Sequence, residues 1–441
     1  MQRLAYQKLL DWKNRDNRLP LILQGVRQCG KTWLLKTFGE DMFSDTAYFN
    51  FEHSERIGKI FDADLNPERI ILELGILRRK TIEPGKTFLI LDEIQLCPRA
   101  ITALKYFAEE LPTLCVAAAG SLLGVAVAQM EKSISFPVGK VQTITLYPLN
   151  FEEFMLANGD ELLHDYLKNG GDTLLYSERL EELCRWYLIT GGMPAAVKCW
   201  IETHSVEETE DVLANIISDY ERDFVKYAPR SEYPKLSLIW KGIPAQLAKD
   251  NQKFVFSHIK TGARARDLED SLHWLLSAGL IYKVVRVERP MLTLASSADL
   301  GYFKIYLSDV GILRKMSGFP ADAVLDTSAE SAYMRGILAE NFCLTELISL
   351  GYSPYFWKSG GIAELDFLVQ KGLNILPIEV KARKNTRAKS FAEYRKKYLP
   401  KYAVKTSMQP FSIRKDDIGD VLEIPLYLLW MMLFFNPFCG T

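Results

Sequence analysis

Gly25-Val26-Arg27-Gln28-Cys29-Gly30-Lys31-Thr32 sets two glycines around a short spacer and follows them at once with an ammonium and a hydroxyl. This order suits a loop that wraps phosphates. Glycines let consecutive backbone N–H groups turn inward, and a helix starting at the loop adds the positive end of its dipole. In such a loop Gly25, Val26, Arg27, Gln28, Cys29 and Gly30 form the cradle, Lys31 reaches the outer phosphates, and Thr32 offers an oxygen to a divalent cation. Farther on, Thr87-Phe88-Leu89-Ile90-Leu91-Asp92-Glu93 is an apolar run ending in two carboxylates. A buried strand adjacent to the loop would bring Asp92 to the metal shell and Glu93 to an attacking water. Lys31 and Glu93 are the expected catalytic residues. Ser121, after the apolar run from Leu114 to Ala119, has two readings, a sensor of the terminal phosphate or part of a small-residue turn.

A second set of chemical groups lies near the other end of the chain. Asp366 sits in the alternating run Glu364-Leu365-Asp366-Phe367-Leu368, and Glu379 and Lys381 sit in Ile378-Glu379-Val380-Lys381. Period two puts Glu379 and Lys381 on one strand face, and the turn Lys371-Gly372-Leu373-Asn374 would close the two runs into a hairpin. Two carboxylates can then hold a divalent cation while the lysine positions or activates water at a phosphodiester. Glu340, on a helix just before, is the candidate auxiliary acid. A third set is basic: Lys260, Arg264 and Arg266 precede a helical pattern that Gly279 would cap and a β-rich run, Ile281 to Val287. A winged helix is the expected arrangement. Its cations read either as contacts to DNA phosphates or as the surface of a module that only packs. The densest charge run, Lys381 to Lys389, has no acid in it.

Elements able to position these groups are visible in the pattern. Pro20 to Gln24, Ala47 to Phe51, Thr87 to Leu91, Leu114 to Ala118 and Thr143 to Leu146 read as buried strands, with helical runs such as Lys31 to Phe38 and Ala100 to Glu110 between them. That alternation implies a parallel sheet covered by helices. Phe151 to Gly242 reads as helical, broken at Gly170-Gly171 and at Gly191-Gly192-Met193-Pro194. A helix from Tyr333 to Leu350 then precedes two strands, Glu364 to Val369 and Ile375 to Lys381. At 441 residues the chain calls for two or three domains. A net charge of −1 excludes a global basic field, so any nucleic-acid contact must be local. The seven cysteines are scattered with no C-x-x-C, which suits a reducing cytoplasm and neither a disulfide framework nor a zinc site. Leu111 to Met130 is broken by Gly120 and Gly124, and Ile424 to Phe438 is short and carries Pro425 and Pro437, so neither is expected to span a membrane.

The chain also resembles a known family, the prokaryotic AAA-type ATP-binding proteins with a C-terminal domain of unknown function. The resemblance rests on Leu21 to Gln28 with Gly30-Lys31-Thr32, Leu91-Asp92-Glu93-Ile94-Gln95, Ala119-Gly120-Ser121, Leu146-Tyr147-Pro148-Leu149, Gly191 to Pro194, Leu307 to Gly311, and Pro377 to Lys381. It implies an α/β multidomain chain: an ATPase core over 1–150, a helical lid over 151–242, a winged-helix-like part over 243–325 and a restriction-endonuclease-like α/β part over 326–441. It implies ATP and Mg²⁺ as cofactors, and a lid motif at Gly192 to Pro194 that contacts nucleotide. Asp366, Glu379 and Lys381 match the D-x(n)-E-x-K pattern of that nuclease fold. Where Gly-Arg is expected before the last core strand, the chain has Gly139-Lys140, which keeps the charge and loses the bidentate fork. Arg222 is the candidate arginine donated in trans. The expected function is an ATP-hydrolysing switch or motor acting on DNA. The alternative is a signalling ATPase whose nucleotide state gates a protein-partner or homo-oligomer surface, with an inert nuclease-like part.

Overall fold

The computed structural model describes residues 1–125, 136–249, 252–326, 328, 330–361, 363–381 and 389–432. Most of the basic run between Lys381 and Lys389 lies outside the described residues. The chain divides into two compact units, Gln2–Tyr147 with Ser277–Leu280, and Pro148–Leu276 with Ile281–Thr441.

The first unit is built on five parallel strands: β1 (Leu21–Gln24), β2 (Asp45–Asn50), β3 (Thr87–Asp92), β4 (Cys115–Gly120) and β5 (Gln142–Thr145), in the order β2-β3-β4-β1-β5. β3 and β4 are buried at every position. Central parallel strands are covered on both faces, which is why they read as unbroken apolar runs. Helices Glu55–Ala63, Pro67–Arg78 and Pro98–Glu110 carry Ile57, Phe61, Ile70, Leu74, Ile101 and Phe107 into one core with Leu89, Leu91 and Val116. β4 lies between β3 and β1. The register sets Asp92 beside Ala119 and Gln24 beside Gly120. Side chains this small at the end of β4 leave room for Asp92 to reach across.

The second unit opens with helices Phe151–Ala157, Glu161–Lys168, Ser177–Thr190, Pro194–Thr203, Val206–Tyr227 and Tyr233–Leu247. It then forms an eight-stranded mixed sheet from β6 (Ile281–Val287), β7 (Ala298–Leu307), β8 (Tyr355–Lys358), β9 (Glu364–Lys371), β10 (Asn374–Val380), β11 (Tyr402–Ser407), β12 (Ser412–Lys415) and β13 (Asp420–Pro425). The order is β12-β13-β11-β10-β9-β8-β6-β7. β6, the run expected as a wing, pairs with β7 and in parallel with β8, so it belongs to the same sheet that carries β9 and β10. β9 and β10 close around Gly372-Leu373, with Gly372 at φ 57, where L side chains are disfavoured. Among the described residues no helix is long and apolar enough to cross a membrane.

Three stretches quoted for the family resemblance meet at one joint of this unit. The Leu149 amide donates to Gly192 O at 2.7 Å, and the Gly192 amide donates to Asp309 Oδ2 at 2.6 Å. Asp309 also caps helix Val310–Met316 by accepting from the Ile312 amide. A Cβ on Gly192 would lie 1.9 Å from Leu149 O, and one on Gly311 2.5 Å from the Gly191 amide nitrogen. The glycines are thus required by backbone approach, and Gly192 spends its donor and acceptor inside its own unit. Burial pushes the Asp309 carboxyl up to about 6 against the pull of the amides that donate to it.

Glu346, on helix Ala332–Ser349, is wholly buried and accepts from the Phe151 amide at 2.8 Å. Burial, with Glu152 and Glu153 nearby, raises its pKa to about 8. A carboxyl whose folded pKa lies above its unfolded value stabilises the fold below about 4.5, and that contribution is lost as pH rises through 8. Between pH 7 and 9 the wild type is expected to lose stability, on the order of 1 kcal/mol, that Glu346→Gln, neutral throughout, does not lose. Urea midpoints of the two chains at both pH values check this, and parallel pH dependence would refute it.

Candidate nucleotide site and carboxylate cluster

The loop between β1 and helix Lys31–Met42 has the backbone its sequence demands. Gly25 takes φ 154, Gln28 φ 65 and Gly30 φ 96. A Cβ on Gly25 would lie 2.1 Å from Leu146 O, so the loop closes onto the chain after β5 only with glycine there. Lys31 is buried, and its Nζ donates to Gly25 O and Val26 O, both at 2.9 Å. Thr32 Oγ1 donates to Asp92 Oδ2 at 2.8 Å. Asp92 also accepts from Tyr48 OH at 2.8 Å and from the Glu93 amide at 3.0 Å. Glu93 follows β3 with φ 54 and shares a hydrogen bond with Gln95. Ser121 is buried directly after β4. The structure therefore brings Lys31, Thr32, Asp92 and Glu93 together around the start of one helix.

A cation and a phosphate chain fit these groups. The hydroxyl of Thr32 and the carboxylate of Asp92 already share one hydrogen bond, a hard-oxygen donor set suited to Mg²⁺. The Gly30 N-cap makes no side-chain capping bond, so the first turn of the helix keeps its N–H groups for an anion. Two supporting residues had no signal in the motif. Arg3 is buried, and its guanidinium donates to Cys29 O at 2.8 Å and Tyr147 O at 2.6 Å, bracing the loop from behind. Tyr48 steadies Asp92, and burial together with the Asp92 and Glu93 carboxylates pushes its pKa to about 12, so it stays a donor. Lys140 pairs with Glu109 at 3.0 Å, which gives its charge a partner on helix Pro98–Glu110.

In the second unit Asp366, Glu379 and Lys381 also converge. Pairing of β9 with β10 ends at Phe367 and Ile378, and the strands part there. Asp366 Oδ2 then accepts from the Val380 amide at 2.7 Å, in place of a ladder bond. Lys381 follows the last residue of β10, and its Nζ lies 2.5 Å from Glu379 Oε1. Glu379 Oε2 is buried with no hydrogen-bond partner among the described residues. Burial, then the Glu379 and Glu340 charges, holds the Asp366 carboxyl well above the usual range, and Glu379 is raised by burial against the pull of Lys381. Glu340 is already engaged. It accepts from Lys304 Nζ at 3.2 Å, from Gln252 Nε2 at 3.0 Å and from Tyr306 OH. Lys304, buried on β7, also pairs with Glu364 Oε1 at 2.8 Å. Asp366 and Glu379 are thus the two groups able to hold a cation. Among the described residues no group of three or more His, Cys, Asp or Glu is arranged to hold a metal ion.

The comparisons bear on the first unit most directly. Residues 17–155 match the family model described as AAA domain. That region is thus similar to AAA domains and contains the five parallel strands and the glycine-rich loop. Residues 181–323 and 335–427 match two models described as domains of unknown function, DUF8612 and DUF4143. No curated protein matches the sequence. Among solved structures the chain is similar to the Walker-type ATPase PABY2304 of Pyrococcus abyssi, at 15% identity and TM-score 0.45 over 71% of this chain and 94% of that one. It is similar to the Aeropyrum pernix ORC1 protein in complex with DNA, at 14% identity and TM-score 0.27 over 73% and 92%. It is also similar to AMPPCP-bound DnaA from Aquifex aeolicus, at 14% and 0.31 over 62% and 87%.

Outside residues 17–155 the remaining candidates are exposed. Lys260, Arg264 and Arg266 all face solvent around helix Ala265–Ser277. The Arg264 amide donates to Asp267 Oδ2 at 2.8 Å, and Arg266 lies 3.8 Å from Asp267 Oδ1. Arg222 pairs with Asp219 at 2.9 Å on helix Val206–Tyr227.

Proposed function

We propose that the chain is an Mg²⁺-dependent ATPase that works as a switch or motor on DNA, with its second unit supplying winged-helix-like and nuclease-like surfaces. The observation that carries the ATPase half is the joining of Lys31, Thr32, Asp92 and Glu93 at one helix start within an AAA-type domain. On binding ATP, Lys31 exchanges its two carbonyl acceptors for phosphate oxygens. Thr32 and Asp92 hold Mg²⁺, which supplies charge at the phosphates. Glu93 orients water for attack. The DNA half rests on the exposed cations Lys260, Arg264 and Arg266, and on Asp366, Glu379 and Lys381 gathered where two strands part.

A second reading keeps the ATPase and makes the second unit a binding module that gates a protein partner. It is favoured by the pairing of Lys381 with Glu379 and by the engagement of Glu340 with Lys304, which leave only two carboxylates for a cation. One experiment separates the readings: ATP turnover with and without duplex DNA at low salt, with the DNA also checked for Mg²⁺- or Mn²⁺-dependent cleavage. Duplex DNA is expected to stimulate turnover and to bind with a steep salt dependence, as phosphate contacts require. Arg264→Glu combined with Arg266→Glu is expected to weaken that binding about tenfold or more. Cleavage lost in Glu379→Ala supports the nuclease-like reading. Equal retention of wild type and double variant on DNA, with no stimulation, leaves the partner-gating reading.

A further inference from the structure

Glu210, Arg314 and Lys315 meet in the wall of a cavity of about 340 Å³ within the second unit. Glu210 lies near the start of helix Val206–Tyr227, and Arg314 and Lys315 lie in the last turn of helix Val310–Met316. Arg314 is 1% exposed. Its Nε donates to Ile189 O and its Nη1 to Phe319 O, both at 3.0 Å, so two bonds to backbone hold the guanidinium in place. Its Nη2 pairs in charge with Glu210 Oε1 and makes no hydrogen bond among the described residues. The other carboxylate oxygen, Oε2, lies 2.5 Å from Lys315 Nζ. Val206, Phe319 and Pro320 supply apolar wall.

Ligand pockets have this size and make-up: about 300–1,000 Å³, apolar walls and a few convergent polar groups. The charges narrow the ligand. Burial would raise the Glu210 carboxyl, but Lys315 and Arg314 outweigh it and hold it below its ordinary value, so it is ionised at neutral pH. Two cations against one carboxylate leave one positive charge over. Burial lowers the Arg314 pKa despite Glu210 and Asp309, and a second anion would offset that cost. A clasp that only joined two helices would close over its charges. Here the Lys315 and Glu210 side chains stay 30% and 21% exposed beside open volume. Asp322, at the rim, is exposed and pairs with neither cation among the described residues, so a doubly charged ligand meets a like charge there. We propose that this cavity is a binding site, beyond the ATPase reading, for a small monocarboxylate with an apolar body. Arg314 and Lys315 take its carboxylate beside Glu210, and Val206 and Phe319 take its body.

Benzoate is the probe, titrated into the full chain by calorimetry at low salt, with benzyl alcohol and phenyl phosphate alongside. The wild type is expected to bind benzoate saturably and benzyl alcohol at least about tenfold more weakly, since the alcohol forms no charge-assisted bond. Lys315→Met, at a part-exposed position, is expected to weaken benzoate at least about tenfold. Glu210→Gln removes the competing charge and is expected to tighten benzoate about tenfold. Arg314→Leu is expected to abolish binding, and if that variant does not fold, Lys315→Met decides. No benzoate binding by the wild type, or equal binding by the wild type and Lys315→Met, overturns the site. Binding by Glu210→Gln alone also overturns it, because Glu210 then fills the place permanently and the three charges are a clasp. Phenyl phosphate bound more tightly than benzoate overturns the monocarboxylate assignment.

Discussion

Lys31→Ala is expected to remove measurable ATP binding, with affinity falling at least about 100-fold, and Glu93→Gln to bind ATP as the wild type does while hydrolysing it about 10²–10³ times more slowly. The two residues differ in what they touch. Lys31 Nζ is held by Gly25 O and Val26 O, at the loop that would take the phosphates. Charge-assisted hydrogen bonds are worth about 1.5–3 kcal/mol each, so loss of two to phosphate oxygens exceeds a factor of 100. The substitution also removes the donor of two backbone carbonyls, so a thermal melt matching the wild type is the control that lets its effect read as binding. Glu93 directly follows Asp92 and bonds Gln95, with no bond to the loop itself among the described residues. Its replacement by glutamine keeps size and removes the charge that orients water. Calorimetry on Lys31→Ala and phosphate release by Glu93→Gln check the pair. Wild-type affinity in Lys31→Ala would place the nucleotide elsewhere.

The sequence made the first unit readable because its structure is local and its strands are covered on both faces. Thr87 to Asp92 is buried at all positions, so an apolar run bounded by turns sufficed to find β3. The strand order was less readable. No local pattern records that β4, with its small residues, stands between β3 and β1. Tyr48 and Arg3 gave no signal, since a strand tyrosine reads as core and an arginine on a terminal helix as surface. Their roles come from contacts 44 and 26 residues away.

The second unit shows where local pattern stops being informative. A helix, a glycine and a β-hairpin suit a winged helix and the end of a sheet equally well. What differs is the pairing of Val285, Arg286 and Val287 with Tyr355, Phe356 and Trp357, a long-range parallel contact that no periodicity records. β11 and β13 were missed because Lys405 and Glu423 interrupt their apolar runs, although each is half-buried against the other strand. The hairpin of β9 and β10 was readable from its glycine turn and its alternation. The meeting of Asp366 with Glu379 followed from period two. Lys304 had no local signature at all, because its partners Glu340 and Glu364 lie on a helix and a strand far along the chain.

Lys304→Met is expected to destabilise the second unit by about 3–5 kcal/mol at pH 7. Lys304 is buried on β7, its Nζ 3.2 Å from Glu340 and 2.8 Å from Glu364, and it donates to Gln252 Oε1 at 2.7 Å. Burial alone would lower its pKa, but Glu340, Glu364 and Asp366 outweigh burial and raise it. Removing one member of such a network leaves buried carboxylates without a counter-charge, which costs more than the net worth of the pair. Glu364 fixes the pH dependence. Burial would raise its pKa, yet Lys304 and Lys358 hold it below the ordinary value. A depressed folded pKa stabilises above the unfolded pKa, and the contribution is lost as pH falls through the folded value. The gap between wild type and Lys304→Met should therefore be widest near neutrality and narrow as the carboxylates protonate below about pH 4.5. Lys304→Met combined with Glu340→Gln should recover part of the loss, since removing both partners is milder than removing one. Urea unfolding followed by tryptophan fluorescence at pH 7 and pH 4 measures all of this. A loss under about 1 kcal/mol at pH 7 would mean that the hairpin of β6 and β7 does not share its stability with the rest of the sheet.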